Sequence, residues 1–179
     1  MYQSTILHSR FYNNSFLQNT LVCLFGIVFL ALAAHLVIPL QPVPLTFQSA
    51  AVILIGMTMG PRLAAATLSG YLVAGFLGLP VFASGGIPGP TLGYLIGFLP
   101  AAIFSGWLAQ QGFAKNIALS FIASILGATI IFALGLPVLA TFIGWKAAIA
   151  AGLMPFIITE PLKLFAISLI IPRLWKPAA

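Results

Sequence analysis

The segment from Leu17 to Leu40, LQNTLVCLFGIVFLALAAHLVIPL, decides the fold class of this chain. No Lys, Arg, Asp or Glu interrupts it. The hydrocarbon core of a bilayer is about 30 Å thick and needs roughly 20 apolar residues per helix, so this run is long enough to cross it. It is too long for the apolar core of a signal peptide, and it ends where Pro39 and Pro42 stand. Both facts predict a retained transmembrane helix.

The composition extends this conclusion to the whole chain. Of its 179 residues, 61% are hydrophobic and only 4% are charged, whereas soluble domains carry about 25% charged residues. So few charges cannot cover the surface of a soluble protein, which excludes a water-soluble enzyme and a disordered chain. Six spans of about 20 residues fit within the length. The sequence therefore predicts an all-α integral membrane protein with six transmembrane helices.

The predicted helices follow apolar runs that are closed by proline, glycine or polar residues. Residues 1–16 form a polar N-terminal segment, residues 17–174 a single membrane domain, and residues 175–179 a short tail. Residues 138–154 are of mixed character and predict a short helix near the membrane face, or a re-entrant piece. The six spans are expected at about 17–40, 46–59, 63–79, 91–109, 116–136 and 159–174.

The basic residues predict the orientation in the membrane, because cytoplasmic loops carry an excess of Lys and Arg. With six spans, only Lys146 falls on one side of the membrane. The other side receives Arg10, Arg62, Lys115, Arg173 and Lys176. Both termini are therefore expected in the cytoplasm, with the chain in the cell (inner) membrane. The basic residues form no cluster, so the net charge of +6 does not indicate a nucleic-acid partner.

Glu160 is the only acidic side chain of the sequence. This excludes metal sites built from several carboxylates and catalysis by paired carboxylates, and neither a metal nor a cofactor is expected. Lys163 follows three residues later, so on a helix the two side chains share a face. An ionisable pair at the edge of a membrane core indicates a functional site. The alternatives are a salt bridge that only neutralises two charges, or a Lys163 that extends to the interface.

The residues around this pair predict a helix start. Thr159 suits an N-cap position and Pro161 suits the first turn, so the last helix is expected to begin here, at the outer end of the sixth span. Free backbone N–H groups at that point would favour an anion.

Two further segments contain polar and aromatic candidates. In the first segment, prolines precede Thr46 and Gln48, whose side chains can form hydrogen bonds at the outer end of the second helix. The alternative is an ordinary helix start with a cap residue. The second is rich in glycine, which lets backbone approach a ligand, although an ordinary loop with interfacial aromatics is the alternative. The candidates are Thr46, Gln48, Phe82, Ser84, Gly85 and Tyr94.

Two other features are interpreted structurally. The Gly-x-x-x-Gly from Gly93 to Gly97 suits close helix packing, with a surface for a ligand as the alternative. Trp145 and Trp175 are interpreted as anchors at the membrane interface.

Four short motifs, in order, give the chain a family resemblance. They read Pro42-Val43-Pro44-x-Thr46-x-Gln48, Gly60-Pro61-Arg62, Gly78-Leu79-Pro80-Val81-Phe82 and Gly89-Pro90-Thr91-x-Gly93-Tyr94-x-x-Gly97-Phe98. The chain resembles the BioY family, the biotin-binding S components of energy-coupling factor (ECF) vitamin transporters. The resemblance covers about residues 39–98 and resumes at 155–163. It implies a six-helix S-component bundle with an outward-facing biotin site.

The resemblance also implies roles for single residues and partners. The polar groups of biotin would be bound by Glu160, where the family motif usually has Asp, and by Lys163. The chain lacks the nucleotide motif Gly-x-x-x-x-Gly-Lys-Ser/Thr, so an ECF transmembrane scaffold subunit and two ABC ATPases would supply the energy. The first helix lacks a strict Ala-x-x-x-Ala, which leaves a stand-alone or ion-coupled carrier for biotin or another small vitamin as the alternative. A lipid-modifying membrane enzyme is disfavoured, since the chain has few acid–base groups.

Overall fold

The computed structural model describes residues 16–83 and 89–175. These residues form an all-α bundle with one pair of two-residue strands. The predicted N-terminal segment and tail, with Arg10 and Lys176, lie outside the described residues, apart from Phe16 and Trp175. The elements in chain order are α1 (Phe16–His35), β1 (Val37–Ile38), β2 (Leu45–Thr46), α2 (Gln48–Phe76), α3 (Leu92–Leu108), a π-helical turn (Ala109–Phe113), α4 (Ile117–Ile143), α5 (Trp145–Gly152) and α6 (Met154–Leu174).

The helices are apolar over membrane-spanning lengths. Within the described residues, five helical stretches are long and apolar enough to cross a bilayer: Phe16–His35, Gln48–Phe76, Leu92–Phe113, Ile117–Ile143 and Trp145–Leu174. Many large apolar side chains on them are exposed, as expected of helices in contact with lipid. The mixed segment between the predicted fifth and sixth spans contains the short helix α5.

The helix α2 is broken at Gly60, whose backbone angles of φ 76° and ψ 170° are not helical. The side-chain amide of Gln48 lies 2.6 Å from the hydroxyl of Tyr71, 23 residues later. A continuous helix, at 1.5 Å per residue, would hold these two residues about 35 Å apart. The segments 48–59 and 61–76 therefore fold back on each other as a helical hairpin. The break falls at the Gly60-Pro61-Arg62 that separates the second and third predicted spans.

Small residues let the helices approach at the level of the backbone. A Cβ atom at Gly106 of α3 would lie 2.7 Å from the backbone oxygen of Gly56 in α2. A Cβ atom at Gly97 would lie 3.0 Å from the Cα of Ile131 in α4. Gly93 is similarly close to Leu134. The prediction that the Gly93–Gly97 motif serves helix packing is confirmed.

Trp175 completes the hydrogen bonding of α2. Pro61 has no N–H, so the carbonyl four residues earlier, that of Met57, loses its helical donor. The indole Nε1 of Trp175 donates to this carbonyl oxygen at 3.0 Å. Trp175, which was predicted to anchor the chain at the interface, thus links the end of α6 to the break in α2.

The start of α6 differs from the prediction. The helix begins at Met154 with Pro155 in its first turn, so the predicted start at Thr159 is wrong. Thr159 is not a cap, because its hydroxyl donates back to the carbonyl of Pro155 at 2.9 Å. Pro161 stands inside the helix. Glu160 therefore lies in the second turn, and the free N–H groups of the helix start are not beside it.

Candidate functional site

A partly open cavity of about 60 Å³ lies where the hairpin of α2 and the helices α3, α4 and α6 converge. Its walls are mostly apolar, and a few polar side chains interrupt them. A cavity of this kind suits a small solute with one polar and one apolar part.

The cavity brings together most of the predicted ligand-binding residues. Those that line it are Thr46, Gln48, Phe82, Tyr94 and Glu160. Lys163 is not a lining residue, although it contacts Glu160. Ser84 and Gly85 lie outside the described residues.

The acidic residue of the cavity is buried together with its partner. Glu160 is 5% exposed and Lys163 is 8% exposed. Lys163 Nζ lies 2.5 Å from Glu160 Oε2. Apart from this ion pair, neither oxygen of Glu160 has a hydrogen-bond partner within the described residues. The buried carboxylate therefore retains unused acceptor capacity at the cavity wall.

The ammonium group of Lys163 is held by protein atoms. It donates to the backbone oxygen of Thr46 and to Ser49 Oγ, both at 2.9 Å. Its positive charge is paired with the carboxylate of Glu160. Lys163 does not extend to the interface, and it lies behind the carboxylate that it neutralises.

The chain between α1 and α2 places the polar groups on one side of the cavity. Its strands pair as a short antiparallel hairpin, with Val37 opposite Thr46. The hydroxyl of Thr46 accepts from the backbone N–H of Gln48 and donates to Gln48 Oε1, both at 3.3 Å. These contacts hold the Gln48 side chain at the first turn of α2.

Aromatic rings form another part of the cavity wall. Tyr94 meets Phe132 edge to face, with centroids 5.7 Å apart, and Phe132 lies 5.5 Å from Phe156. The hydroxyl of Tyr94 donates to the backbone oxygen of Gly152 at 3.0 Å, which connects α3 to α5. A Cβ atom at Gly135 would overlap the Tyr94 ring, so this glycine provides the space for it.

Sequence reasoning missed several lining residues, including Ser49, Ile131, Phe132 and Phe156. Phe156 could have been found, because it lies within residues 155–163, where the family resemblance resumes. Ser49 directly follows a predicted site residue. Ile131 and Phe132 lie in an apolar run where nothing distinguishes a cavity wall from a lipid-facing position.

Three of the five Lys and Arg residues in the described part of the chain lie at the other end of the bundle. There the break in α2 meets the π-helical turn and the end of α6: a Cβ atom at Gly60 would lie 3.2 Å from Gln110 Nε2, and Trp175 bonds to Met57. Arg62 and Arg173 belong to α2 and α6, and Lys115 lies beside the π-helical turn, where a Cβ atom at Gly112 would be 3.1 Å from its Cε.

A bundle of apolar helices around an amphipathic cavity defines a membrane protein that binds a small solute. Comparison of sequences identifies its family: residues 5–179 match the BioY family, and the chain belongs to that family. The resemblance inferred from the four motifs is thereby confirmed. The relatives in this family are transporters rather than enzymes. Together with the apolar helices, this shows that the chain is an integral membrane protein.

Individual relatives agree with this assignment. The chain is 38% identical to the probable biotin transporter BioY of Pyrococcus horikoshii over 160 residues, which cover 87% of this chain and 94% of that protein. It is 36% identical to the biotin transporter BioY of Thermotoga maritima, over 82% and 89% of the two chains. The crystal structure of the S component for biotin from an ECF-type ABC transporter superimposes with a TM-score of 0.81 at 24% identity, covering 93% of this chain and 95% of that one. The fold is thus that of an S component.

Proposed function

We propose that this chain takes up biotin as the high-affinity binding subunit of an ECF-type transporter. The observation that carries the proposal is Glu160, a buried carboxylate in a mostly apolar cavity whose oxygens accept no hydrogen bond from the described residues. A carboxylate can accept two parallel N–H donors in a charge-assisted contact. The ureido ring of biotin offers two such N–H groups beside an apolar thioether ring. The relatives from Pyrococcus horikoshii and Thermotoga maritima, which are named as biotin transporters, support the same ligand.

The contacts of Lys163 favour one orientation of biotin. Because the ammonium of Lys163 is paired with Glu160 and donates to Thr46 and Ser49, it is not offered to the valerate carboxylate as an unpaired cation. Glu160 would repel that carboxylate and attract the ureido N–H groups. The ureido ring therefore faces Glu160, and the valerate chain extends away along the aromatic wall. Lys163 acts by holding Glu160 in place.

We propose six membrane spans, with the two segments of α2 counted separately. The break at Gly60 lies at the same end of the bundle as Arg62, Lys115 and Arg173. An excess of positive charge marks the cytoplasmic side. This assignment puts both termini in the cytoplasm and opens the cavity to the outside of the inner membrane.

A thiol-labelling experiment tests this orientation, because Cys23 is the only cysteine in the chain. In a Cys23→Ser background, Lys146→Cys and Arg62→Cys each introduce one thiol. A membrane-impermeant maleimide on intact cells should label position 146 and leave position 62 unlabelled until the cells are opened. The reverse pattern would invert the proposed topology.

The proposed partners are an ECF transmembrane scaffold subunit and two ABC ATPases, within the lipid bilayer. The chain has no nucleotide-binding motif of its own, so energy from ATP has to come from another subunit. Co-purification of the tagged chain with those subunits, and biotin uptake that requires them, would support this assembly. Uptake at the full rate in cells that lack them would instead favour a stand-alone or ion-coupled carrier.

Equilibrium binding tests the ligand. Radiolabelled biotin should bind the purified chain and resist competition by thiamine and riboflavin. Glu160→Gln keeps the size of the side chain and removes its charge, so affinity should fall about tenfold or more. Ser124→Ala removes a buried hydroxyl that donates to Ser120 at 2.7 Å, away from the cavity, and should leave affinity unchanged. Wild-type protein that does not bind biotin would refute the proposal.

A further inference from the structure

Tyr71 is a buried residue that does not line the cavity but connects two parts of its wall. It lies in the second segment of α2 and is 0% exposed. Its hydroxyl accepts from Gln48 Nε2 at 2.6 Å and donates to the backbone oxygen of Val81 at 2.8 Å. Gln48 lines the cavity, and Val81 directly precedes Phe82, which also lines it. One phenol thus links a polar group of the site to the segment after α2.

The two hydrogen bonds fix the orientation of the Gln48 amide. A phenol has one proton to donate, and here Val81 receives it. The oxygen of Tyr71 can then only accept, so Gln48 has to present its NH₂ group to Tyr71. The reversed amide would take the Tyr71 proton and leave the Val81 carbonyl without a donor, which is costly in a buried position. Gln48 Oε1 is accordingly placed beside the hydroxyl of Thr46.

The same residue positions Phe82 through its ring. The rings of Tyr71 and Phe82 meet edge to face with centroids 5.5 Å apart, and Phe76 contacts Phe82 in the same way at 5.8 Å. Gly75 supplies the space, since a Cβ atom there would overlap the Phe82 ring. Phe82 is only 2% exposed, although it lies in a non-helical segment.

We propose that Tyr71 is a positioning residue for the binding site, which sets both the Gln48 amide and the Val81–Ala83 segment before the ligand arrives. The proposal rests on the proposed function for its ligand, biotin, and not for its structural part. A site whose polar groups are already oriented binds more tightly, because less conformational freedom is lost on binding. Tyr71→Phe keeps the ring and removes both hydrogen bonds, so it separates positioning from packing.

Hydrogen exchange on the purified full chain without ligand tests the structural part. In Tyr71→Phe, backbone amides of residues 77–83 should exchange about tenfold faster, since one buried hydrogen bond is lost. Ser124→Ala should leave their exchange unchanged. Gly75→Ala displaces Phe82 without removing any hydrogen bond and should also accelerate it. Unchanged exchange in Tyr71→Phe would overturn the proposal, whether or not the chain binds biotin.

Biotin affinity tests the functional part through a double-mutant cycle. Tyr71→Phe should weaken binding about tenfold. In a Gln48→Leu background the same substitution should cost less, because part of its effect passes through the amide. A purely structural role would give the same loss in both backgrounds, and that result would overturn the link through Gln48. Failure of the wild-type chain to bind biotin would refute the proposed ligand and would leave the exchange result decisive for Tyr71.

Discussion

Lys163 Nζ donates a hydrogen bond of 2.9 Å to the backbone oxygen of Thr46, which stands 117 positions earlier in the chain. This contact joins the third turn of α6 to the chain that leads into α2. The same ammonium neutralises Glu160. The geometry of the carboxylate in the cavity therefore depends on a residue that does not itself line the cavity.

Replacing Lys163 by Met should destabilise the protein and weaken biotin binding together. The substitution leaves Glu160 buried without its counter-charge, and breaking a buried pair in this way costs about 3–5 kcal/mol. Thermal unfolding in detergent should show a lower midpoint, and equilibrium binding should show lower affinity.

The double variant Lys163→Met/Glu160→Gln is the control for this prediction. It removes both charges, so it should recover most of the lost stability while biotin binding stays weak. A Lys163→Met protein that keeps both its unfolding midpoint and its affinity would contradict the positioning role.

Gly135→Ala should disturb the aromatic wall of the cavity. The added Cβ atom overlaps the Tyr94 ring, and overpacking of this kind costs about 1–3 kcal/mol. Biotin affinity should fall as Tyr94 is pushed toward the cavity, with the helical circular dichroism unchanged. Gly70→Ala is a matched control, because its Cβ atom would meet only the flexible end of Ile27, at 2.9 Å. Equal effects of the two substitutions on affinity would argue against Tyr94 as a wall of the site.

Trp175→Phe should lower stability without altering the site. It removes the indole N–H that satisfies the Met57 carbonyl, and an unsatisfied buried acceptor costs about 1–3 kcal/mol. The unfolding midpoint should fall, whereas biotin affinity should change less than about twofold, well under 1 kcal/mol. An unchanged midpoint would show that water or lipid replaces the indole as a donor.

The sequence alone predicts the all-α membrane fold and three polar residues that line the cavity. Apolar runs have to match the thickness of the bilayer, so their lengths indicate the helices. Thr46, Gln48 and Glu160 could be recognised because each interrupts or borders such a run. These three residues line the same cavity.

Other features depend on contacts that no local pattern contains. The start of α6 was misplaced because Pro155 and Pro161 both satisfy the first-turn preference, and only the tertiary structure decides between them. The bonds of Lys163 to Thr46 and Ser49 could not be predicted, because nothing near it in sequence indicates them. Tyr71 was missed because its hydroxyl finds its partners through the hairpin of α2.

The placement of Glu160 and Lys163 on a single helix has an electrical consequence. The carboxylate and the ammonium group sum to zero charge, and both belong to α6. Moving one elementary charge across the membrane involves about 2.3 kcal/mol for each 100 mV of membrane potential. A neutral ion pair contributes nothing to this electrical work. The membrane potential should therefore affect the rate of biotin transport through the charge on the biotin carboxylate, and not through the Glu160–Lys163 pair.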